Sequence, residues 1–152
     1  MKFSDIPIRE NSVVVMDAAW FNSLRAAGIA LETLFGLGYI PQTDIAITNN
    51  QTVWTDITNM LVDGTSYSSM RIDYEIIRST STTKLFEKSE FQLLFKNGTW
   101  EKHDSMIYGD NGGLTFNLNQ IGNIVQVQYK SSSLGGTGYT GFIKYKGFTF
   151  SI

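Results

Sequence analysis

The chain has 152 residues, of which 42% are hydrophobic and 17% charged, enough apolar material for one domain with a core and too much for disorder. Lys and Arg number 12 and Asp and Glu 14, a formal charge of -2 with no basic stripe, which excludes a nucleic-acid partner. There is no cysteine, so disulfides and thiolate metal sites are excluded, and no apolar run reaches the ~20 residues of a membrane span.

The N-terminal stretch MKFSDIPIREN carries charges and no apolar run, so it does not read as a secretory signal. A helix is expected over residues 17–36. Asp17 is a good N-cap, AAWFNSLRAAGIALETLF follows it, and Gly36 offers a left-handed stop. Trp20, Leu24, Ala27, Leu31 and Leu34 are spaced four, three, four and three residues apart, an a/d heptad seam of a little over two heptads. A lone helix this short is marginal in water and needs a partner. Two partners fit: the sheet of its own chain, or the same seam on identical chains in a short parallel bundle.

From residue 44 the period becomes two. Ile45 and Ile47 alternate before a bend at Asn49-Asn50. Met70, Ile72, Tyr74 and Ile76 share one strand face, with Arg71, Asp73 and Glu75 on the other. Phe91, Leu93 and Phe95 alternate next, and Asn97-Gly98 is a strong hairpin turn. After it Trp100, Lys102 and Asp104 face one way and Glu101, His103 and Ser105 the other. GDNGG, residues 109–113, reads as a turn, and Leu114, Phe116 and Leu118 alternate after it. Val125, Val127 and Tyr129 then oppose Gln126, Gln128 and Lys130, and Ile143 and Tyr145 oppose Lys144 and Lys146. Short strands with turns between them predict an antiparallel sandwich over residues 44–152. The expected fold is therefore mainly β, a jelly-roll-like antiparallel β-sandwich knob preceded by one α-helix.

Gly136-x-Gly138-x-x-Gly141 has the glycine spacing of a dinucleotide-binding loop. Such a loop works by aiming a helix N-terminus at phosphate. Here FIKYKGFTF follows, a strand pattern, so the glycines read as a hairpin that needs positive φ and close backbone approach.

Catalytic chemistry finds little support. His103 is the single histidine, and its neighbour Asp104 points to the opposite strand face. Asp104, Asp110 and Asn111 lack the alternating acidic pattern of a calcium loop, and turn chemistry accounts for them. Asp73 and Glu75 share their face with Arg71, as on an exposed mixed-charge sheet. Tyr67, Tyr108 and Tyr139 are candidate stacking platforms for a sugar, or core aromatics. No catalytic residue, cofactor or metal is expected.

Several stretches in order resemble a C-terminal module of bacteriophage virion proteins, especially tail-fibre-like and other appendage proteins. They are the NNQ bend (49–51), the IDY-x-I-x-R strand (72–78), the QVQY-x-SS strand (126–132) and the final GY-x-G-x-I-K-Y-K strand (138–146), with DAAWFNSLRAAGIALETLFG upstream. The match covers most of residues 17–150. It departs from the familiar pattern in DITNMLVDG, where Asn59 and Met60 interrupt an aspartate-rich loop. The resemblance implies a non-enzymatic structural protein of the virion, assembled as a homotrimer through the Trp20–Leu34 seam. Residues 1–16 would then be an extended attachment peptide, with Ile6, Pro7, Ile8, Val13, Val14 and Val15 available to bury against another virion protein. Pro7 favours the extended form that docking on a sheet edge requires. Other capsid, collar or tail proteins are the expected partners, in a tail or collar appendage or in capsid decoration. Carbohydrate binding to host-surface glycan is the alternative, and neither nucleic acid nor membrane insertion is expected.

Overall fold

The computed structural model describes residues 37–152. The helix expected over 17–36 and the peptide 1–16 lie outside the described residues. Nine strands are found among those described: β1 (Leu37–Ala46), β2 (Thr55–Asp63), β3 (Tyr67–Ser79), β4 (Lys84–Lys96), β5 (Thr99–Asp104), β6 (Tyr108–Gly109), β7 (Leu114–Ile121), β8 (Ile124–Ser131) and β9 (Thr140–Ser151). They form two antiparallel sheets. The larger runs β1-β9-β3-β4-β5, with β6 also on β4, and the smaller runs β2-β8-β7.

The alternation read from the sequence decides which face is buried. In β3, Met70, Ile72, Tyr74 and Ile76 are buried while Arg71 is exposed. The same holds for Phe91 and Leu93 in β4 and for Ile143 and Tyr145 in β9. From the smaller sheet Val125, Val127 and Tyr129 of β8, with Ile57, Met60 and Val62 of β2, join the same core. Phe116 of β7 meets Tyr74 and Phe91 with ring centroids 5.2 and 5.6 Å apart, so aromatic packing bridges the sheets. Trp100 donates its indole N–H to the Asn123 carbonyl at 2.8 Å, closing the sandwich at the β5 side.

Turn chemistry fixes the hairpins. Asn97 and Gly98 have φ of 52° and 78° between β4 and β5, the two positive angles that a tight right-twisted hairpin requires. Gly122, at φ 61°, opens the two-residue turn between β7 and β8, a signal the period-two reading passed over.

Three local expectations change. The period-two pattern is read from residue 44, but β1 opens at Leu37. A bulge between Ile40 and Thr43 sets two residues, Pro41 and Gln42, against the single Lys146 of β9, and this one extra residue reverses the parity of the strand. Tyr39 thus stands opposite Phe148 and Asp44 opposite Lys144 on one face, which no strict alternation would show. In β2 the register slips between Asp56 and Leu61, with Asn59 at φ 61°. The interruption at Asn59-Met60 is this bulge, and it turns Met60 into the core beside Ile57. Finally, a jelly roll passes its chain repeatedly between two sheets. Here β1 and β2 do so, as do β8 and β9, but β3, β4 and β5 follow one another as a meander in the larger sheet.

Candidate functional site

The densest polar cluster lies at the end of the sandwich where β3 leaves the core. Arg78 follows Ile72, Tyr74 and Ile76 at the same parity, so the strand carries its guanidinium inward, where it is 0% exposed. Its donors are taken up by neighbouring oxygens. Nε donates to the Tyr139 hydroxyl at 3.1 Å, Nη1 to the Gly112 carbonyl at 2.8 Å, and Nη2 to Asn49 Oδ1 at 3.1 Å and the Ser132 carbonyl at 2.6 Å. The ion pairs among the described residues do not include Arg78. Its charge is held instead by carbonyl dipoles, which the planar five-donor fork suits better than an ammonium would.

A buried carboxylate sits on the other side of Gly112. Glu87, 4% exposed, accepts from the Gly112 N–H at 2.6 Å and from the Tyr74 hydroxyl at 3.0 Å. Gly112 is therefore clamped by its carbonyl to a cation and by its N–H to an anion. A Cβ there would lie 2.7 Å from Ile76 Cγ2, and one on Gly113, at φ +69°, would lie 2.7 Å from Arg78 Nη1. The GDNGG turn is shaped by this clamp. Asp110 caps it by accepting from the Phe86 N–H at 3.0 Å, and Asn111 by accepting from the Gly113 N–H at 2.8 Å. Burial, with the Glu87 carboxylate beside it, raises the Tyr74 phenol above its ordinary value, so the hydroxyl remains a donor to Glu87.

The glycine-rich stretch joins the same end of the molecule. Gly136 and Gly138 have φ of 109° and 64°, and strand β9 follows them. The loop is tied to the turn between β3 and β4: Thr80 Oγ1 donates to the Gly135 carbonyl and the Ser81 N–H to the Thr137 carbonyl, both at 2.8 Å. A Cβ on Gly136 would lie 2.6 Å from Thr80 Oγ1, and one on Gly141 would strike the Tyr139 ring. These glycines admit neighbouring side chains where a phosphate loop would admit an anion.

The stretches that carried the resemblance meet here. Asn49 of the NNQ bend, Arg78 of the IDY-x-I-x-R strand, Ser132 of QVQY-x-SS and Tyr139, just before β9, make one hydrogen-bonded hub. Asn49 also accepts from the Leu134 N–H and donates to the Leu134 carbonyl, and Ser131 Oγ accepts from the Gln51 N–H at 2.9 Å. Neither Arg78 nor Glu87 was singled out from the sequence. The signal was present: Arg78 shares the inward parity of Met70, Ile72, Tyr74 and Ile76, and Glu87 that of Phe91 and Leu93.

Trp20, Leu24, Ala27, Leu31 and Leu34, and Ile6, Pro7, Ile8, Val13, Val14 and Val15, lie outside the described residues. Of the three tyrosines, Tyr139 is spent on Arg78, Tyr67 is half-buried at the start of β3, and Tyr108 is 64% exposed on β6. His103 lies 3.7 Å from Glu101 on the exposed face of β5, while Lys102 pairs with Asp104 on the other, as the alternation requires. Asp73 binds Arg71 at 3.3 Å and Glu75 binds Lys88 at 3.2 Å, a mixed-charge ladder. Among the described residues no group of three or more His, Asp or Glu gathers as metal ligands would. A cleft of about 360 Å³ is lined by Lys102 and Asp104 of β5, Phe116 of β7, Asn111, Tyr74 and Glu87.

Fold and hub together define a two-sheet antiparallel β domain whose buried charges serve its architecture. No family model matches the chain, and no curated protein matches it. Among solved structures it is similar to the tailspike protein of Acinetobacter baumannii phage AM24, at 11% identity with a TM-score of 0.43. That likeness covers 80% of this chain and 27% of the tailspike chain, so this chain spans a minor part of that protein's length.

Proposed function

We propose that the chain is a non-enzymatic structural protein of a bacteriophage virion, a homotrimer whose β domain projects from the particle. The copies associate through Trp20, Leu24, Ala27, Leu31 and Leu34, and the segment 1–16 docks on another virion protein. The observation that carries this reading is the convergence of the resemblance-bearing motifs on Arg78. Four stretches scattered over about a hundred residues make one hydrogen-bonded unit, as expected if they are the framework of a single module and not chance matches. The same hub supports a structural role, because its cation and its carboxylate are engaged by backbone and tyrosine groups. Light scattering on the purified chain is expected to give three times its 17.0 kDa. The double substitution Leu24→Asp, Leu31→Asp is expected to yield monomers that keep the far-UV signature of the sheets. A monomeric wild-type chain at micromolar concentration, or a double variant that still assembles, rejects the seam.

A further inference from the structure

The larger sheet turns its second face away from the core, and the register lays that face out in rows. In the row at the start of β1, Phe150 and Leu94 stand on either side of Ser69. In the next, Tyr39 lies beside Phe148, and Arg71 follows. The Tyr39 and Phe148 ring centroids are 5.6 Å apart. Phe148 and Phe150 are two residues apart on β9 and so point the same way. Tyr39 is 48% exposed, Leu94 40%, Phe148 38% and Phe150 44%. Single exposed apolar residues are ordinary, but a contiguous corner with three aromatic rings on the solvent face of an antiparallel sheet marks an interaction surface.

We infer that this corner packs against the same corner region of a second copy of the chain. The inference rests on the self-association proposed above and adds the surface of the β domain that takes part. Chain reach supplies the first reason. Leu34, the last residue of the seam, is three residues before Leu37, where β1 begins and pairs with Phe150. Three residues span at most about 11 Å. In copies joined at Leu34 the start of each β1 strand therefore lies within that reach of the seam, and the aromatic corner is beside that start. Charge supplies the second reason. The rows next to the corner carry Lys146, Asp73 and Glu90, then Asp44, Lys144, Glu75 and Lys88. With Arg71, and with Lys96 and Glu101 where β4 meets β5, these hold equal numbers of acidic and basic groups. A face that is neutral and mixed in sign meets its own copy without net repulsion and gives no strongly charged partner a reason to choose it.

The chain has no cysteine, so single thiols report proximity between copies without background. Phe150→Cys and Leu94→Cys place a thiol in the corner. Ile121→Cys, at a turn of the smaller sheet where the residue is 75% exposed, is the control. Full-length variants that retain the wild-type melting temperature are oxidised at micromolar concentration. Both corner thiols are expected to form inter-chain disulfides at least about a hundredfold faster than the control, because an interface raises their effective concentration toward millimolar. Sedimentation of the wild type runs in parallel. If it is oligomeric and the corner thiols react no faster than the control, the corner is not an interface, although the seam stands. If the wild type is monomeric, both the seam and the corner fall.

Discussion

Arg78 shows how one side chain can organise a whole end of this domain. Its guanidinium is fully buried, and it supplies donors to oxygens of four other segments, at Asn49, Gly112, Ser132 and Tyr139. Replacing it removes every donor at once and leaves those acceptors without their guanidinium partner. Arg78→Met is expected to lower the unfolding free energy by roughly 3–5 kcal/mol, measured as a drop in the urea midpoint at unchanged slope. Arg78→Lys is expected to recover little of that, because an ammonium cannot reach the Tyr139, Gly112 and Ser132 oxygens together. An Arg78→Met midpoint within error of wild type would show that the hub contributes nothing net. At this scale the sequence was half legible. Parity placed Arg78 and Glu87 on inward faces, but only the fold shows that residues 49, 112, 132 and 139 meet the guanidinium and residues 74 and 112 the carboxylate. Hydrogen bonds between such distant positions leave no local periodicity.

The strands themselves were the most legible elements, since a buried face repeats every second residue. What alternation misreads is any strand that breaks its own parity. In β1 the bulge at Pro41-Gln42 lets Tyr39 and Asp44 share a face, and in β2 the bulge at Asn59 lets Ile57 and Met60 share the core. The left-handed backbone of Asn59, at φ 61°, is what makes the second possible. Asn tolerates that conformation and Gly adopts it freely, whereas a β-branched residue resists it. Asn59→Gly is therefore expected to leave the thermal midpoint near wild type, while Asn59→Val costs about 1–2 kcal/mol. Because Asn59 is exposed, lost packing does not confuse the comparison. Equal midpoints for the two variants would show that the bulge does not need this backbone angle.

Across the whole molecule the two sheets share one core, so their stability responds together to any group that burial perturbs. Burial raises both the Tyr74 and the Tyr145 phenol above the ordinary value of 10.0. In the unfolded chain both would ionise from about that pH, whereas in the folded chain both remain protonated, Tyr74 donating to Glu87 and Tyr145 to the Thr58 carbonyl. The unfolded state then binds fewer protons, and stability must fall as pH rises above 10. Urea midpoints are expected to be unaffected by these two phenols between pH 7 and 9 and to decline beyond 10. Tyr145→Phe should make that decline shallower, and an equally steep one would remove Tyr145 as a cause. By itself the sequence determined that the described part is built largely of antiparallel strands, which residues of the regularly alternating strands face the core, and where the Asn97-Gly98 hairpin turn falls. These are local matters of side-chain period and backbone angle. The tertiary structure alone decided that three strands stay together as a meander, that four distant motifs close around one buried arginine, and that an aromatic corner remains on the outside. Each of those depends on which strands become neighbours, and neighbour choice is settled by burying two sheets against each other and not by any stretch of the chain alone.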